Sequence, residues 1–220
     1  MIASGRDADI FEYGRGQVLR RSRDGRTLTD EARIMQFVRS QGYPVPEVVE
    51  VSDDGCDLVM ERIGGPTMVE MCEARPWRIG QMGRALAELH QRLHELSAPD
   101  WLKVAPCGEG DRLLHLDLHP LNVLMAPAGP VVIDWTNASR GSPSSDVALA
   151  WALIASGEVP TNRLESILLG VGRRILLRAF LKPFAKEELR SVLNEVIEWK
   201  CRDPHMSEIE KLRMRQLASR

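Results

Sequence analysis

The sequence has no excess of charge of either sign. Its 29 lysines and arginines are balanced by 31 aspartates and glutamates, which leaves a formal net charge of −2. A chain that binds nucleic acid or an anionic membrane surface through its overall charge carries a basic surplus. The composition therefore predicts neither nucleic acid nor a membrane as a partner.

Cysteines are scattered, and long apolar runs are lacking. The four cysteines form no CxxC pair, which favours reduced thiols of a cytoplasmic protein over a disulfide framework or a zinc site. The longest apolar candidate, residues 147–155, is too short to cross a bilayer. Residues 1–7 lack the apolar run of a signal peptide. We therefore expect a cytoplasmic chain that forms one large domain or two small lobes.

The first sixty residues are predicted to be rich in strands. Gly14-Arg15-Gly16 and the turn at residues 52–55 each separate two short apolar segments, as in β-hairpins. Thr29 is a candidate N-cap for a helix that Gly42 ends. The predicted strands are residues 9–13, 17–20, 48–51 and 56–60.

The remainder is predicted to be mainly helical. Gly64-Gly65-Pro66 is typical of a flexible connection, and leucines and other apolar residues then recur every three or four positions over residues 77–96. We therefore predict an N-terminal β-rich lobe over residues 1–63 and a C-terminal helical lobe over residues 64–220. Further helices are predicted at residues 148–154, 164–180, 185–200 and 208–217.

Polar residues that can carry chemistry are concentrated in residues 113–135. Two apolar triplets flank Ala-Pro-Ala-Gly-Pro at 126–130, which predicts a hairpin that returns Asp134 towards Asn122. Asp117 lies in the loop that leads to the same end. Carboxylate and amide oxygens are ligands that suit Mg²⁺, and phosphoryl transfer needs such ligands together with a carboxylate that holds the acceptor hydroxyl.

His115-x-Asp117-x-x-x-x-Asn122 followed by Ile-Asp134-Trp resembles the catalytic loop and metal-binding segment of the aminoglycoside phosphotransferase and choline kinase families. The resemblance implies an α+β, two-lobed, protein-kinase-like fold that uses ATP and Mg²⁺. It implies Asp117 as the catalytic carboxylate and Asn122 and Asp134 as metal ligands. Asp146 resembles the structural aspartate of these families, at the start of the next helix.

Upstream residues extend the resemblance to the nucleotide. Arg20 corresponds to the phosphate-binding cation of a strand, where these families usually have lysine, and Glu31 to its ion-pair partner on a helix. The segment 4–9 takes the place of the phosphate-covering loop but lacks GxGxxG. The other residues implied in nucleotide binding are Ser4 and Gly5 in that loop and Glu61 and Ile63 at the hinge.

The function implied is an ATP- and Mg²⁺-dependent kinase that phosphorylates a hydroxyl of a small molecule, either an aminoglycoside-like antibiotic or another metabolite. The alternative is a catalytically silent nucleotide-binding pseudokinase or scaffold, which Arg20 and the atypical loop favour. A kinase of protein hydroxyls is disfavoured because residues 135–146 leave little room for a long activation loop. Leu116 and Leu121 occupy positions that are often glycine in these families.

Three histidines could have either structural or functional roles. His90 and His94 have the i, i+4 spacing of metal ligands on a helix, but Gln91 replaces the glutamate of a zincin motif, so an ordinary helix face is predicted. His115 is predicted to pack the loop through backbone hydrogen bonds.

Overall fold

The computed structural model describes residues 1–4, 8–157, 163–204 and 206–219, and of residues 3, 4 and 163–169 the backbone only. These residues form an antiparallel sheet in the first part of the chain and a mainly helical remainder. The arrangement is α+β, as predicted. The boundary between lobes at residues 63 and 64 stays a prediction.

The main sheet has five strands, which are β1 Ala3–Ser4, β2 Ala8–Tyr13, β3 Gln17–Ser22, β4 Val48–Val51 and β5 Asp57–Glu61. Their order in the sheet is β1-β2-β3-β5-β4, and every neighbouring pair is antiparallel. The two predicted hairpins are present, because β2 pairs with β3 and β4 with β5. Arg20 lies on the third strand, between Ile10 of β2 and Leu58 of β5.

The first helix, α1, spans Thr29–Ser40 and begins one residue before the prediction. Leu28 occupies the N-cap position without a side-chain hydrogen bond, so Thr29 is the first helical residue and not its cap. The main-chain N–H of Leu28 donates instead to the carbonyl of Gly55 at 2.7 Å, which ties the helix start to the β4–β5 turn. Gly42 follows the helix with a φ of +75°, as a residue that ends a helix often does.

The Gly64-Gly65-Pro66 connection is packed against the next hairpin and is not a free linker. The carbonyl of Pro66 accepts from the main-chain N–H of Met125 at 2.8 Å. A Cβ on Gly65 would collide with the Met125 carbonyl, and its φ of +139° is one that side-chain-bearing residues rarely adopt. Glycine is therefore required at this close approach.

A short helix that the sequence analysis missed, α2, follows at Met68–Ala74. Thr67 and Glu70 form a reciprocal capping box at its start. The predicted helix over 77–96 begins later, because Pro76–Arg78 form a 3-10 turn before α3, Ile79–His94. Two small sheets come next: β6 Arg112–Leu114 with β9 Ser139–Gly141, and β7 Val123–Ala126 with β8 Gly129–Val132.

The other helices of the described residues are α4 Pro143–Ser156, α5 Arg163–Phe180, α6 Lys186–Lys200 and α7 Glu208–Ala218. Helix α4 is buried along most of its length, as its apolar sequence predicts, and packs against α6 and α7. Helices α3 and α5 pack closely at Gly83. In the part of the chain described, no helix combines the length and the apolar character needed to cross a bilayer.

Candidate active site

The β7–β8 hairpin brings the predicted metal ligands to one end. Val123 pairs with Val132, and the main-chain N–H of Ile133 donates to the carbonyl of Asn122 at 3.0 Å. Asp134, the next residue, therefore lies beside Asn122 across the hairpin. The apolar triplets are responsible, since burial of Val123 and Val132 fixes the register of the two strands.

Asp117 lies in the loop before this hairpin and is held by Asn122. The Asn122 amide donates both to the main-chain carbonyl of Asp117 at 2.9 Å and to its carboxylate Oδ2 at 3.2 Å. Because the amide nitrogen is used as a donor in this way, the amide oxygen of Asn122 stays available as a ligand.

The loop itself is fixed by Asp146 in the first turn of α4. Its carboxylate accepts from the main-chain N–H groups of His115 at 3.1 Å and Leu116 at 2.7 Å, and it bonds to Nε2 of His94 at 2.9 Å. Burial alone would raise the pKa of Asp146, but the hydrogen bond from His94 helps to hold that pKa well below its usual range. Asp146 is therefore a buried anion that organises the loop.

The backbone conformation of Leu116 is one that glycine adopts more readily. Its φ is +57°, a left-handed conformation that a residue with a Cβ adopts at a cost of about 1–2 kcal/mol. Its side chain is buried in the core, and burying a leucine stabilises a fold by about 1.5–3 kcal/mol. The two effects are similar in size, so leucine keeps the loop shape that glycine would allow.

The histidines have structural contacts. The ring of His115 bonds through Nε2 to the carbonyl of Ile133 at 3.2 Å and packs on Trp135, as the sequence predicts. His90 is fully buried with Nδ1 3.0 Å from the carbonyl of Leu86, so it lies on the face of α3 that packs into the core. Nε2 of His119 lies 3.8 Å from Asp117, and burial lowers the pKa of His119, which keeps the ring neutral near pH 7.

Arg20 joins the sheet to the hairpin. Its guanidinium lies 3.4 Å from Glu31 Oε1 and 3.2 Å from Asp134 Oδ1. The predicted pair of Arg20 with Glu31 is therefore present in the structure, and Arg20 also contacts the predicted metal ligand. Thr136, which the sequence analysis missed, completes the group through its hydroxyl, 3.2 Å from Arg20, 3.2 Å from Glu31 and 3.0 Å from Asp134.

The two carboxylates around Arg20 differ in their environment. Burial raises the pKa of Glu31 above its ordinary range, and the charge of Arg20 only partly offsets this effect. Burial would raise the pKa of Asp134 as well, but there the charge of Arg20 prevails and the pKa lies below its usual value. Asp134 is therefore ionised at neutral pH, as a metal ligand must be.

A cavity of about 2160 Å³ connects the sheet, the hairpin and the last helices. Of the predicted site residues it is lined by Arg20, Glu31, Glu61, Ile63, Asp117, Asn122 and Asp134. The side chain of Glu61 is also engaged outside this role, because it accepts from the main-chain N–H of Glu47 at 3.1 Å. Ser4 pairs with Asp9 between β1 and β2, and Gly5 lies outside the described residues.

Lys200, at the end of α6, also reaches this site, and the sequence analysis missed it. Its side chain is 9% exposed, with Nζ 3.7 Å from Asp117 Oδ1 and 3.2 Å from Asp203 Oδ2. Nothing in the local sequence signals the contact, because 83 positions (200 − 117) separate Lys200 from Asp117.

The donor set suits Mg²⁺. Asn122 offers its amide oxygen, and Asp134 offers Oδ2, since Arg20 and Thr136 both donate to Oδ1. In the described part of the chain no group of three or more His, Cys, Asp or Glu side chains could hold a metal by itself. Mg²⁺ is commonly bound by one or two protein carboxylates together with substrate phosphates.

The fold is shared with small-molecule kinases of known structure. A choline/ethanolamine kinase family protein from Mesorhizobium loti superposes with a TM-score of 0.64 at 16% identity, over 99% of this chain and 87% of the other. The aminoglycoside phosphotransferase APH(2'')-IIa, in a ternary complex with streptomycin and ATP, gives 0.62 at 13% identity, over 96% and 88%. The choline kinase LicA from Streptococcus pneumoniae gives 0.57 at 13% identity, over 99% and 90%.

These likenesses establish the two-lobed, protein-kinase-like fold that the motif implied. No curated protein matches the chain significantly. The family model of the phosphotransferase enzyme family matches residues 2–106 and 99–184, which together include every predicted site residue. The chain belongs to the phosphotransferase enzyme family.

Proposed function

We propose that this protein transfers the γ-phosphoryl group of ATP to a hydroxyl of a small molecule, with Mg²⁺ as the required metal. The observation that carries the proposal is the hydrogen bond from Asn122 to the Asp117 carboxylate, beside Asp134, in a cavity that Arg20 also lines. The family match supports the reaction class, and the neighbours solved with ATP or AMP-PNP support the nucleotide.

Asp117 would take the central role in the transfer. The acceptor oxygen forms a bond to the γ-phosphorus, its proton passes to the Asp117 carboxylate, and the bond to the β–γ bridging oxygen breaks to release ADP. Asn122 fixes the orientation of that carboxylate, which matters because such transfer depends mainly on positioning and charge.

The nucleotide would be held by groups of both lobes. Arg20 would contact the phosphates while Glu31 and Thr136 keep its guanidinium in place. Residues near Glu61 and Ile63 would border the adenine. Asn122 and Asp134 would bind Mg²⁺, which neutralises charge on the phosphates when it is present. A place for Ser4 and Gly5 over the phosphates is part of the same proposal.

The alternative, a catalytically silent nucleotide-binding protein, is favoured by the direct contact of Arg20 with Asp134 at 3.2 Å. That contact places a cation on a proposed metal ligand. The carboxylate Oδ2 of Asp134 can still bind a metal, so the contact does not by itself prevent catalysis. Measurement of Mg²⁺-dependent nucleotide turnover distinguishes a kinase from a silent nucleotide-binding protein.

Asp117→Asn tests the proposed function. The variant should fold and bind ATP like the parent but lose Mg²⁺-dependent phosphoryl transfer by about 10²–10⁴-fold, because the amide cannot accept the proton. ADP release is measured with and without Mg²⁺ over a panel of hydroxy compounds. Asp111→Asn, which changes an exposed carboxylate nearby, is the control and should retain full turnover. Equal ADP release by Asp117→Asn and the parent would contradict the role of Asp117, and no Mg²⁺-dependent release at all would favour the silent protein.

A further inference from the structure

Lys200 is a charged group at the candidate site that the proposed mechanism does not yet use. It ends α6, which packs against α4 and has buried residues such as Leu193 and Ile197. The side chain is 9% exposed and reaches the wall of the cavity beside Asp117. A lysine amine is rarely buried to this extent unless carboxylates compensate its charge.

The ammonium of Lys200 lies between two carboxylates. Its distance to Asp203 Oδ2 is 3.2 Å, which is hydrogen-bond range, whereas its distance to Asp117 Oδ1 is 3.7 Å and exceeds that range. Asp203 therefore anchors the amine, and the amine faces Asp117 across a gap. An oxygen that approaches Asp117 Oδ1 enters next to the ammonium.

The two oxygens of Asp117 consequently face different groups. Oδ2 accepts from Asn122 on the side of the proposed metal ligands. Oδ1 faces Lys200 at 3.7 Å and Nε2 of His119 at 3.8 Å. An acceptor hydroxyl that hands its proton to Oδ1 therefore lies beside a positive charge.

Two carboxylates of the described cavity lining that follow Lys200 in the chain already have partners within the protein. Among the described residues of this wall, Asp203 is bound to Lys200, and Glu210 accepts from the main-chain N–H of Ser207 in the capping box of α7. Arg202 lies on the same wall and is exposed. Arg173 donates to the carbonyls of Ala155 and Gly157 at the end of α4.

We propose that Lys200 selects the acceptor, and that the acceptor is an uncharged or anionic hydroxy compound with no ammonium group beside the reacting hydroxyl. The inference rests on the proposed phosphotransferase function and leaves the transfer step unchanged. An ammonium on the acceptor would lie within a few ångströms of the Lys200 amine and would be repelled. A hydroxyl or carboxylate at the same place would accept a hydrogen bond from that amine.

Probes with a shared skeleton and different charge test this assignment. Glucose, gluconate and glucosamine form one set, and glycerol, glycerate and serinol another, with kanamycin added as a polycation. Acceptor-dependent ADP release by the parent should favour the uncharged and anionic probes over the matched amine by about tenfold to a hundredfold in kcat/KM. Preferred use of glucosamine, serinol or kanamycin would overturn the inference, and so would turnover of an amine probe together with no response to any uncharged or anionic probe.

Substitutions of Lys200 show whether the residue selects the acceptor or only supports the fold. Lys200→Met should reduce the preference against amines at least tenfold, and Lys200→Arg should restore it. Lys200→Gln, which keeps a polar donor without the charge, provides the same comparison if the methionine variant does not fold. Lys186→Met changes an exposed lysine of the same helix and should leave the preference unchanged. An unchanged preference in folded Lys200→Met or Lys200→Gln would overturn the inference.

The proposed function fails in a different way from this inference. If the proposed function is wrong, nucleotide turnover is absent in the parent or is unaffected by Asp117→Asn. If the role of Lys200 is wrong, turnover depends on Asp117 but prefers amine acceptors or is unaffected by substitution of Lys200.

Discussion

Replacement of Arg20 by methionine removes the positive charge that lies between two carboxylates of the site. The guanidinium is 3.4 Å from Glu31 and 3.2 Å from Asp134. With an effective dielectric constant of about 20, each contact corresponds to roughly 5 kcal/mol of attraction before desolvation is counted. Water cannot replace the contact to Glu31, whose side chain is only 4% exposed. We therefore expect Arg20→Met to lower the free energy of unfolding by about 3–5 kcal/mol near neutral pH, the usual result of removing one partner of a buried ion pair.

The loss should depend on pH with a defined sign. Burial already raises the pKa of Glu31, and removal of Arg20 would raise it further. A carboxyl whose pKa is higher in the folded than in the unfolded protein stabilises the fold at low pH, and this stabilisation disappears as pH rises through the folded pKa. The deficit of Arg20→Met should therefore be smaller at about pH 5 than at about pH 8.

Urea unfolding of parent and variant over this pH range measures the effect. Arg21→Met is the matched control, because Arg21 is the next residue of the same strand and forms an exposed pair with Asp57 at 2.6 Å. Loss of that surface pair should lower stability by less than about 1 kcal/mol. Adding Glu31→Gln to Arg20→Met should recover part of the lost stability. Equal losses for the two arginines, or a deficit independent of pH, would refute the electrostatic reasoning.

Two further predictions concern the helical part of the chain. Burial lowers the pKa of His90 from 6.5 to about 4, so protonation of the unfolded chain should reduce stability by up to about 3 kcal/mol as pH falls from roughly 6.5 to 4. Urea unfolding should show this component in the parent and not in His90→Leu; the same acid dependence in both would contradict it. A Cβ at Gly83 would lie 2.5 Å from the carbonyl of Leu176 and 2.8 Å from Cβ of Ala179, so Gly83→Ala should lower stability by about 1–3 kcal/mol in thermal unfolding. Gly170→Ala, with no atom within 4 Å of the new Cβ, should be neutral or stabilising, and a similar loss at both glycines would exclude helix packing as the cause.

Local patterns predicted much of the fold and the centre of the site. The hairpin over β7 and β8 follows from two apolar triplets around a turn-forming segment, and the hairpin in turn places Asp134 beside Asn122. The buried character of α4 follows from its nearly continuous apolar sequence. Such features depend on neighbours in sequence, so one chain suffices to predict them.

Helix α2 was missed although a local signal exists. It has seven residues, too few for a clear helical period, but Thr67 and Glu70 have the spacing of a capping box. Attention to that spacing after Gly64-Gly65-Pro66 would have predicted the helix start.

The contacts of Thr136 and Lys200 depend on tertiary structure. Thr136 meets Glu31 across 105 positions of sequence, and Lys200 meets Asp117 through the packing of α6 on α4. The adjacency of Thr136 to the Asp134-Trp135 motif is a weak signal for the former. For Lys200 the local pattern indicates only the end of an amphipathic helix, because its partner is fixed by the fold.

The buried side chain of Leu116 links the motion of the catalytic loop to the stability of the core. A glycine in the same conformation would let the loop open locally, whereas opening around Leu116 exposes a leucine that is 1% accessible in the folded state. The N–H groups of His115 and Leu116 are also held by the buried carboxylate of Asp146. Hydrogen exchange at these two amides should therefore proceed only through large openings of the helical part, so that the segment that carries Asp117 is among the slowest to exchange in the protein.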